Sequence, residues 1–408
     1  MNALSAAVEN TTWVKTISED YAILTYVVPL FAAIFAIEWL RRADLTEPIR
    51  QKILITASLG LIAYLDWHSA LLMCVLSGTV YQFSQNRIEF TKHLPLVTAA
   101  SLLALIATKT MLTNWSPQPI VVLGLSYYVL RLISVVIEIG RKNPDYADIK
   151  PLPFFTYVFF IPIFFAGPVQ KFADFRRVQV DENKVPWLYT RLALLVLLKM
   201  AVIDFLLLQS VIIPVRTDLV PAVLGWPAWA RYGLLLGHGF VSIVYHYIDF
   251  VIYTELAKTV GRLLGYHVID NFNYPLLVTN IAEFWRRWHM SMSNFARDYV
   301  FMPVMIRSRR IWLGSCATML TIGMWHAANL NWLVWSLAHG GALVFYDNLR
   351  RTNFYKSWNS GVQSAKALGF AGRVATLSFI GAVNNLVAFP QNYSLAWKFT
   401  RQALFGIP

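Results

Sequence analysis

Residues 283–303, EFWRRWHMSMSNFARDYVFMP, decide how the chain is read. They carry a glutamate, three arginines, a histidine and an aspartate, yet the flanking segments are apolar enough to live in lipid. Ionisable side chains at membrane depth cost about 2.5–3.5 kcal/mol each, so by default they line a cavity or pair with one another. Written as one helix over 281–297, the stretch puts Trp285, His289, Met292 and Ala296 on one stripe and lets Glu283 pair with Arg287 one turn on. The arginines then lie around the helix, which suits a segment wrapped by protein or lying at the cytoplasmic interface rather than a plain spanning helix.

Composition sets the frame. Of 408 residues, 57% are hydrophobic and 14% charged, and the mean hydropathy is +0.50, which places the chain among membrane proteins. A spanning helix needs about 20 mostly apolar residues, and such runs lie near 21–40, 53–66, 69–83, 94–113, 120–139, 151–167, 187–213, 231–256, 311–327, 331–348 and 366–389. The expected fold is all-α: a polytopic integral membrane protein of roughly ten to twelve transmembrane helices plus re-entrant or interfacial ones. Trp39, Trp67, Trp115, Trp187 and Trp226 fit aromatic belts. Cys74 and Cys316 fall inside apolar runs, so neither a disulfide framework nor a thiolate metal site is indicated.

The net charge of +13 collects in short loops beside the runs, which the positive-inside rule explains without nucleic acid. Arg41, Arg42, Arg50 and Lys52 follow the first run, Arg87 and Lys92 the third, and Arg141, Lys142 and Lys150 the fifth. That pattern places the N-terminus outside and these loops in the cytoplasm. The first 20 residues lack a basic n-region, so the first span reads as a retained anchor. Residues 1–408 form a single membrane domain: an N-terminal helical scaffold (1–150) in which nothing suggests chemistry, a core (151–348), and a C-terminal helix (349–408). Pro151, Pro153, Pro162 and Pro168 predict a broken helix at the start of that core.

The later half holds the unusual polar groups. In YHYIDFVIYTEL (245–256), Asp249 and Glu255 interrupt an aromatic helix, with Tyr245 one turn before Asp249 and Tyr253 one turn after. NFNYP (271–275) is turn-like. In IGMWHAANLNWLVWSLAHGG (322–341), His326 ends one apolar run and His339 sits in the next. His68, His93, His238, His246 and His267 read as structural. His289 and His326 each follow a tryptophan beside membrane runs, where a neutral imidazole can accept through one nitrogen and donate through the other, as a general base does. No single helix carries an HxxxH or HxxEH spacing, so no metal site is expected. No GxSxG elbow, P-loop or dinucleotide fingerprint occurs.

Four stretches carry a family resemblance. FFAGPVQKFADF (164–175) is similar to AGPI-x-RY-x-x-F, YIDFVIYTEL (247–256) to FDFxGYxxxA, NFNYPLLVTNIAEFWRRWHMSMSNFARDYVFMP (271–303) to NFxxPxxxxxxxxFWRRWHxSLSxWxRDY, and GMWHAANLNWLVWSLAHGG (323–341) to GLWHGxxxxxxxWGxxHG. Together they resemble the membrane-bound O-acyltransferase superfamily, and within it the bacterial envelope-modifying branch. Chain length and RDYVFM (297–302) are most like the D-alanyl transfer proteins of the teichoic acid pathway. The sequence departs from the pattern at Ala327 and Ile252, each where the family has glycine, and in a short connection between the two histidines.

The resemblance implies the superfamily's fold and its reaction, transfer of an acyl group from a thioester on one side of the membrane to a hydroxyl reached from the other. His326 is then the catalytic base and His289 a second catalytic or supporting histidine. Trp285, Trp288, Trp325, Asn329, Asp249, Tyr253 and Asn273 would line substrate or tunnel, and Arg286, Arg287, Arg297, Arg307, Arg309 and Arg310 would dock the donor. No bound cofactor is implied. The donor is a thioester on a phosphopantetheinyl acyl carrier protein, alternatively acyl-CoA, on the cytoplasmic side. The acceptor is an extracytoplasmic polymer or acceptor protein, and the expected place is the bacterial cytoplasmic membrane, amid lipid. An acetyl-CoA-dependent O-acetyltransferase of an exopolysaccharide or peptidoglycan is the alternative, and an envelope-substrate transporter a second.

Overall fold

The computed structural model describes residues 28–86, 119–164, 167–212, 226–387 and 393–405, and its regular elements there are all helices. The expectation of an all-α membrane protein holds. Helix α1, Val28–Arg42, ends in Arg41 and Arg42, which both pair with Glu38. Helix α2, Glu47–Asn86, breaks at Asp66, whose backbone is extended (φ −160°, ψ 100°). The Asp66 carboxylate accepts from the His68 N–H at 3.1 Å and the Ser69 hydroxyl at 2.7 Å, capping the second arm. The runs 53–66 and 69–83 are the two arms of this broken helix. The run 94–113 and Trp115 lie outside the described residues.

Helix α3, Pro119–Gly140, carries Tyr127, Arg131, Ser134 and Glu138, all buried. At 100° per residue they share an arc of about 60°, so one stripe of an otherwise apolar helix is polar. Arg131, 1% exposed, donates to the carbonyls of Tyr157 (3.0 Å) and Val158 (3.3 Å). Those carbonyls end helix α4, Pro151–Val158, and a cation is the favoured partner for such a terminus. Beyond it the chain makes a 3₁₀ turn at Ile161–Ile163. The proline-broken helix is as expected, and the run 151–167 does not form one spanning helix.

Helix α5, Val185–Leu198, passes into a π-helical stretch, Lys199–Ile212. The 36-residue helix α6, Ala228–Leu263, packs beside it. Short helices α7 to α9 follow: Ile281–Arg287, Met290–Ala296 and Met302–Ser308. Helices α10, Ile311–His326, and α11, Leu330–Leu349, form a hairpin. Gly323 allows their close approach, because a Cβ there would sit 1.8 Å from the Ser336 hydroxyl. Among the described residues of 349–408 there are three helices rather than one: α12, Asn353–Ser360; α13, Val362–Asn384; and α14, Tyr393–Phe405. Among the described residues, α2, α6 and α13 are long and apolar enough to cross a bilayer.

Two aromatic cores result. Tyr128, Phe154, Tyr157, Phe160, Phe175 and Tyr266 fill the first, where Phe175 stacks on Tyr266 at 4.8 Å. The second gathers Tyr127, Phe284, Trp285, Phe295, Trp325 and Trp335; Tyr127 meets His289 and Trp325 meets His326, the two histidines expected from the sequence.

Candidate active site

Helix α7 starts as its sequence requires. The Asn280 side chain accepts from the Glu283 N–H at 2.8 Å, and Glu283 returns the favour to the Thr279 N–H at 2.9 Å. The expected ion pair between Glu283 and Arg287 forms at 2.6 Å. The single helix over 281–297 does not. It stops at Trp288, and His289 adopts the left-handed conformation (φ 43°, ψ 55°) before α8 begins.

The cause lies in the turn at 271–275. The Asn271 carbonyl accepts from the Met290 N–H at 2.7 Å, and the Asn273 N–H donates to the Arg287 carbonyl at 3.0 Å. These bonds take groups that a continuous helix would use for its own ladder, and they hold a strained backbone of the kind that clusters at functional sites. The stripe survives the break: Trp285, His289, Met292 and Ala296 are all buried.

The state of His289 follows from its neighbours. One Asn271 side-chain atom lies 3.1 Å from the Ser291 backbone N–H, which can only donate, so that atom is the oxygen. The same oxygen accepts from the Ser291 hydroxyl at 2.8 Å and faces His289 Nδ1 at 3.2 Å. Nδ1 therefore carries the proton. Burial pushes the imidazole pKa down to about 4, so the ring is neutral and Nε2 is an acceptor. The Tyr127 hydroxyl, 3.3 Å from Nε2, donates to it.

Tyr127 also reaches the other half of the site. Its ring meets Trp325 edge-on at 5.2 Å. His326, next in the chain, is half-buried at the end of α10, with its face on Trp332 at 4.2 Å and 9°. Asn329 caps α11 by accepting the Trp332 backbone N–H at 3.0 Å, which fixes the start of the helix that carries Trp332. Ala327, where the motif has glycine, is extended at φ −161°, a conformation open to any residue.

Trp285 packs on Trp335 and His339, and Trp288 on Phe272 and Phe284, so both line the aromatic wall. His339 is buried among Trp285, Trp335 and Phe379. The structure does not bring Asp249 and Tyr253 into contact with the histidines. Lys199 lies between Asp204 (2.9 Å) and Asp249 (2.7 Å), with the Tyr253 ring 5.8 Å away. Phe250 alone of that segment touches His289, at 5.8 Å between rings. Asn273 is exposed and contributes backbone. Arg286, Arg297, Arg307, Arg309 and Arg310 are exposed, while Arg287 is half-buried on Glu283. Histidines 68, 238, 246 and 267 each find a partner in Asp66, Asn385, Ser242 and Asp174. His93 lies outside the described residues.

Sequence reasoning missed Tyr127, Asn271 and Ser291, and with them the pin that holds residues 297–301. Glu138 of α3 accepts from the Tyr299 hydroxyl at 2.8 Å and the Asn143 amide at 2.8 Å. Lys171 pairs with Asp298 at 2.9 Å, and Arg141 donates to the Asp298 carbonyl at 2.7 Å. Burial would push the Asp298 carboxyl up, but Arg297 and Lys171 outweigh it and hold the group below its ordinary value. The only signal for this stripe was its helical spacing within an apolar run.

The sequence model of the membrane-bound O-acyltransferase family matches residues 53–368. A probable alginate O-acetylase of Pseudomonas aeruginosa is 28% identical over 251 residues, 56% of this chain and 44% of its own. A teichoic acid D-alanyltransferase of Streptococcus thermophilus is 27% identical over 309 residues, 71% of each chain. A peptidoglycan O-acetyltransferase of Helicobacter pylori is 33% identical over 100 residues, 24% of this chain and 19% of its own. The chain spans about half the length of the alginate-type relatives it matches. With a match covering most of its length and both motif histidines gathered in one aromatic site, this chain belongs to the membrane-bound O-acyltransferase family.

Proposed function

We propose that the protein is an O-acyltransferase of a bacterial cytoplasmic membrane, crossing it several times and moving an acyl group from a cytoplasmic thioester to a hydroxyl of an envelope polymer or its acceptor protein. The observation that carries this reading is the convergence of His326 and His289 on Trp325 and Tyr127. His326 is the catalytic base, since a neutral imidazole can accept a hydroxyl proton through one ring nitrogen. His289 supports it, because its Nε2 already accepts from Tyr127.

The acceptor oxygen attacks the thioester carbonyl and forms the new ester bond, while the C–S bond breaks. The hydroxyl proton passes to the His326 imidazole and then to the leaving thiolate. A thioester carbonyl is reactive, so the protein's task is mainly to hold the two reactants in line. The exposed arginines of 286–310 supply a surface for an acidic carrier or for the phosphates of a coenzyme.

The favoured donor is a D-alanyl thioester on a phosphopantetheinyl carrier, because the D-alanyl relative matches a larger share of this chain than the alginate relative does. Acetyl-CoA is the second reading, supported by the acetylating relatives. Purified protein in lipid vesicles, offered D-alanyl-carrier or acetyl-CoA with a polyol-phosphate polymer, decides between them. Wild type should deplete the D-alanyl thioester and His326→Ala should not. Depletion of acetyl-CoA alone selects the second reading, full transfer by His326→Ala removes the base, and no transfer from either donor sinks the enzyme reading.

A further inference from the structure

We propose that Tyr127 is a positioning residue of this site, locking His289 through its hydroxyl and Trp325, the neighbour of His326, through its ring edge. The proposal rests on the reading that the two-histidine site performs acyl transfer. Tyr127 comes from α3, outside all four stretches that carry the family resemblance. It is 1% exposed, and its ring lies nearly parallel to the His289 ring (6.1 Å, 12°) and edge-on to Trp325 (5.2 Å, 84°). The Tyr127 ring thus contacts both His289 and Trp325.

The hydroxyl has one geometric task. Asn271 and Ser291 fix the proton of His289 on Nδ1, and the Tyr127 O–H then occupies the Nε2 lone pair. Without that donor only the 3.2 Å contact to Asn271 holds the proton on Nδ1, and the ring gains freedom to turn away from it into settings where Nε2 carries the proton. The adjacent residue provides an internal control. Tyr128 is as buried as Tyr127, but its hydroxyl donates to the Met73 carbonyl of α2, away from both histidines. Phenylalanine at either position removes one buried hydrogen bond and keeps the ring.

The test uses the full-length protein in vesicles with the D-alanyl-carrier assay, and histidine labelled with ¹⁵N for NMR, the His289 signal being assigned by its loss in His289→Gln. Tyr127→Phe should lower kcat about tenfold, the worth of one ordinary hydrogen bond, with KM for the donor within about twofold of wild type. The His289 signal should change from a single Nδ1–H tautomer to a mixture. Tyr128→Phe should keep kcat within about twofold and leave the tautomer unchanged. A wild-type kcat in Tyr127→Phe overturns the proposal whatever the spectrum shows, and so does an equal fall in both variants. If wild type transfers nothing, the functional reading fails and the spectrum alone decides: loss of the single tautomer in Tyr127→Phe supports the positioning role, and an unchanged signal overturns it.

Discussion

His289 is 7% exposed and has both ring nitrogens engaged, by Asn271 and Tyr127, whereas His326 is half-buried at the last residue of α10 with its face on Trp332. Hydrogen bonds at both nitrogens fix an imidazole's tautomer and use up its lone pair. Stacking on Trp332 fixes the plane of the His326 ring. Under the proposed function, the first region supplies a rigid support and the second the base.

The largest expected effect separates them directly. His326→Ala should lower acyl transfer by at least about 100-fold, the usual worth of a general base, while its thermal midpoint in detergent stays near wild type. His289→Ala should lose stability as well, by about 2 kcal/mol, because Tyr127 is left without its buried acceptor. The reverse pattern, a stable inactive His289→Ala and an unstable His326→Ala, would break the division. Next comes the pin beneath the support: Glu138→Ala should destabilise by about 1–3 kcal/mol, since Tyr299 and the half-exposed Lys171 and Arg141 lose their shared acceptor.

The pH dependence should come from His289. Its folded pKa, about 4, lies below the ordinary 6.5, so the folded state binds fewer protons between those values. The stability it contributes is fully present above about pH 6.5 and declines toward pH 4, by at most about 1.4 kcal/mol per unit. Thermal midpoints at pH 7 and pH 5 check this. The acid-side drop should shrink in His289→Gln and persist in His326→Ala. Asn329→Ala should cost about 1 kcal/mol as a lost helix cap and lower kcat a few-fold through Trp332. Smallest of all, Ala327→Gly should leave transfer within about twofold, because the extended backbone there makes no demand for glycine.

Much of this was written in the sequence. The residues of 271–303 and 323–341 named both histidines, the prolines of 151–168 announced the broken helix, and Glu283 found Arg287 at the expected spacing. The turn at His289 was not legible, because no glycine or proline marks it and the bonds that enforce it come from Asn271, eighteen positions earlier. The partner of Asp249 was not legible for a similar reason: Lys199 sits in another helix, and only the packing of α5 and its π-helical extension on α6 reveals the pair. Tyr127 was hidden by its setting, one aromatic residue in an apolar run.

Helix α3 works as a ruler. Tyr127 sets the depth of the site, Arg131 closes the end of α4, and Glu138 fastens residues 297–301. A point substitution on it costs one of these contacts. A single residue inserted between Tyr127 and Glu138 would rotate one part of the stripe by about 100° and shift it by about 1.5 Å relative to the other, so the site and its anchor could no longer be satisfied together. The length of this helix is therefore under as much constraint as its side chains, and variants of the fold should vary the ends of α3 far more readily than its middle.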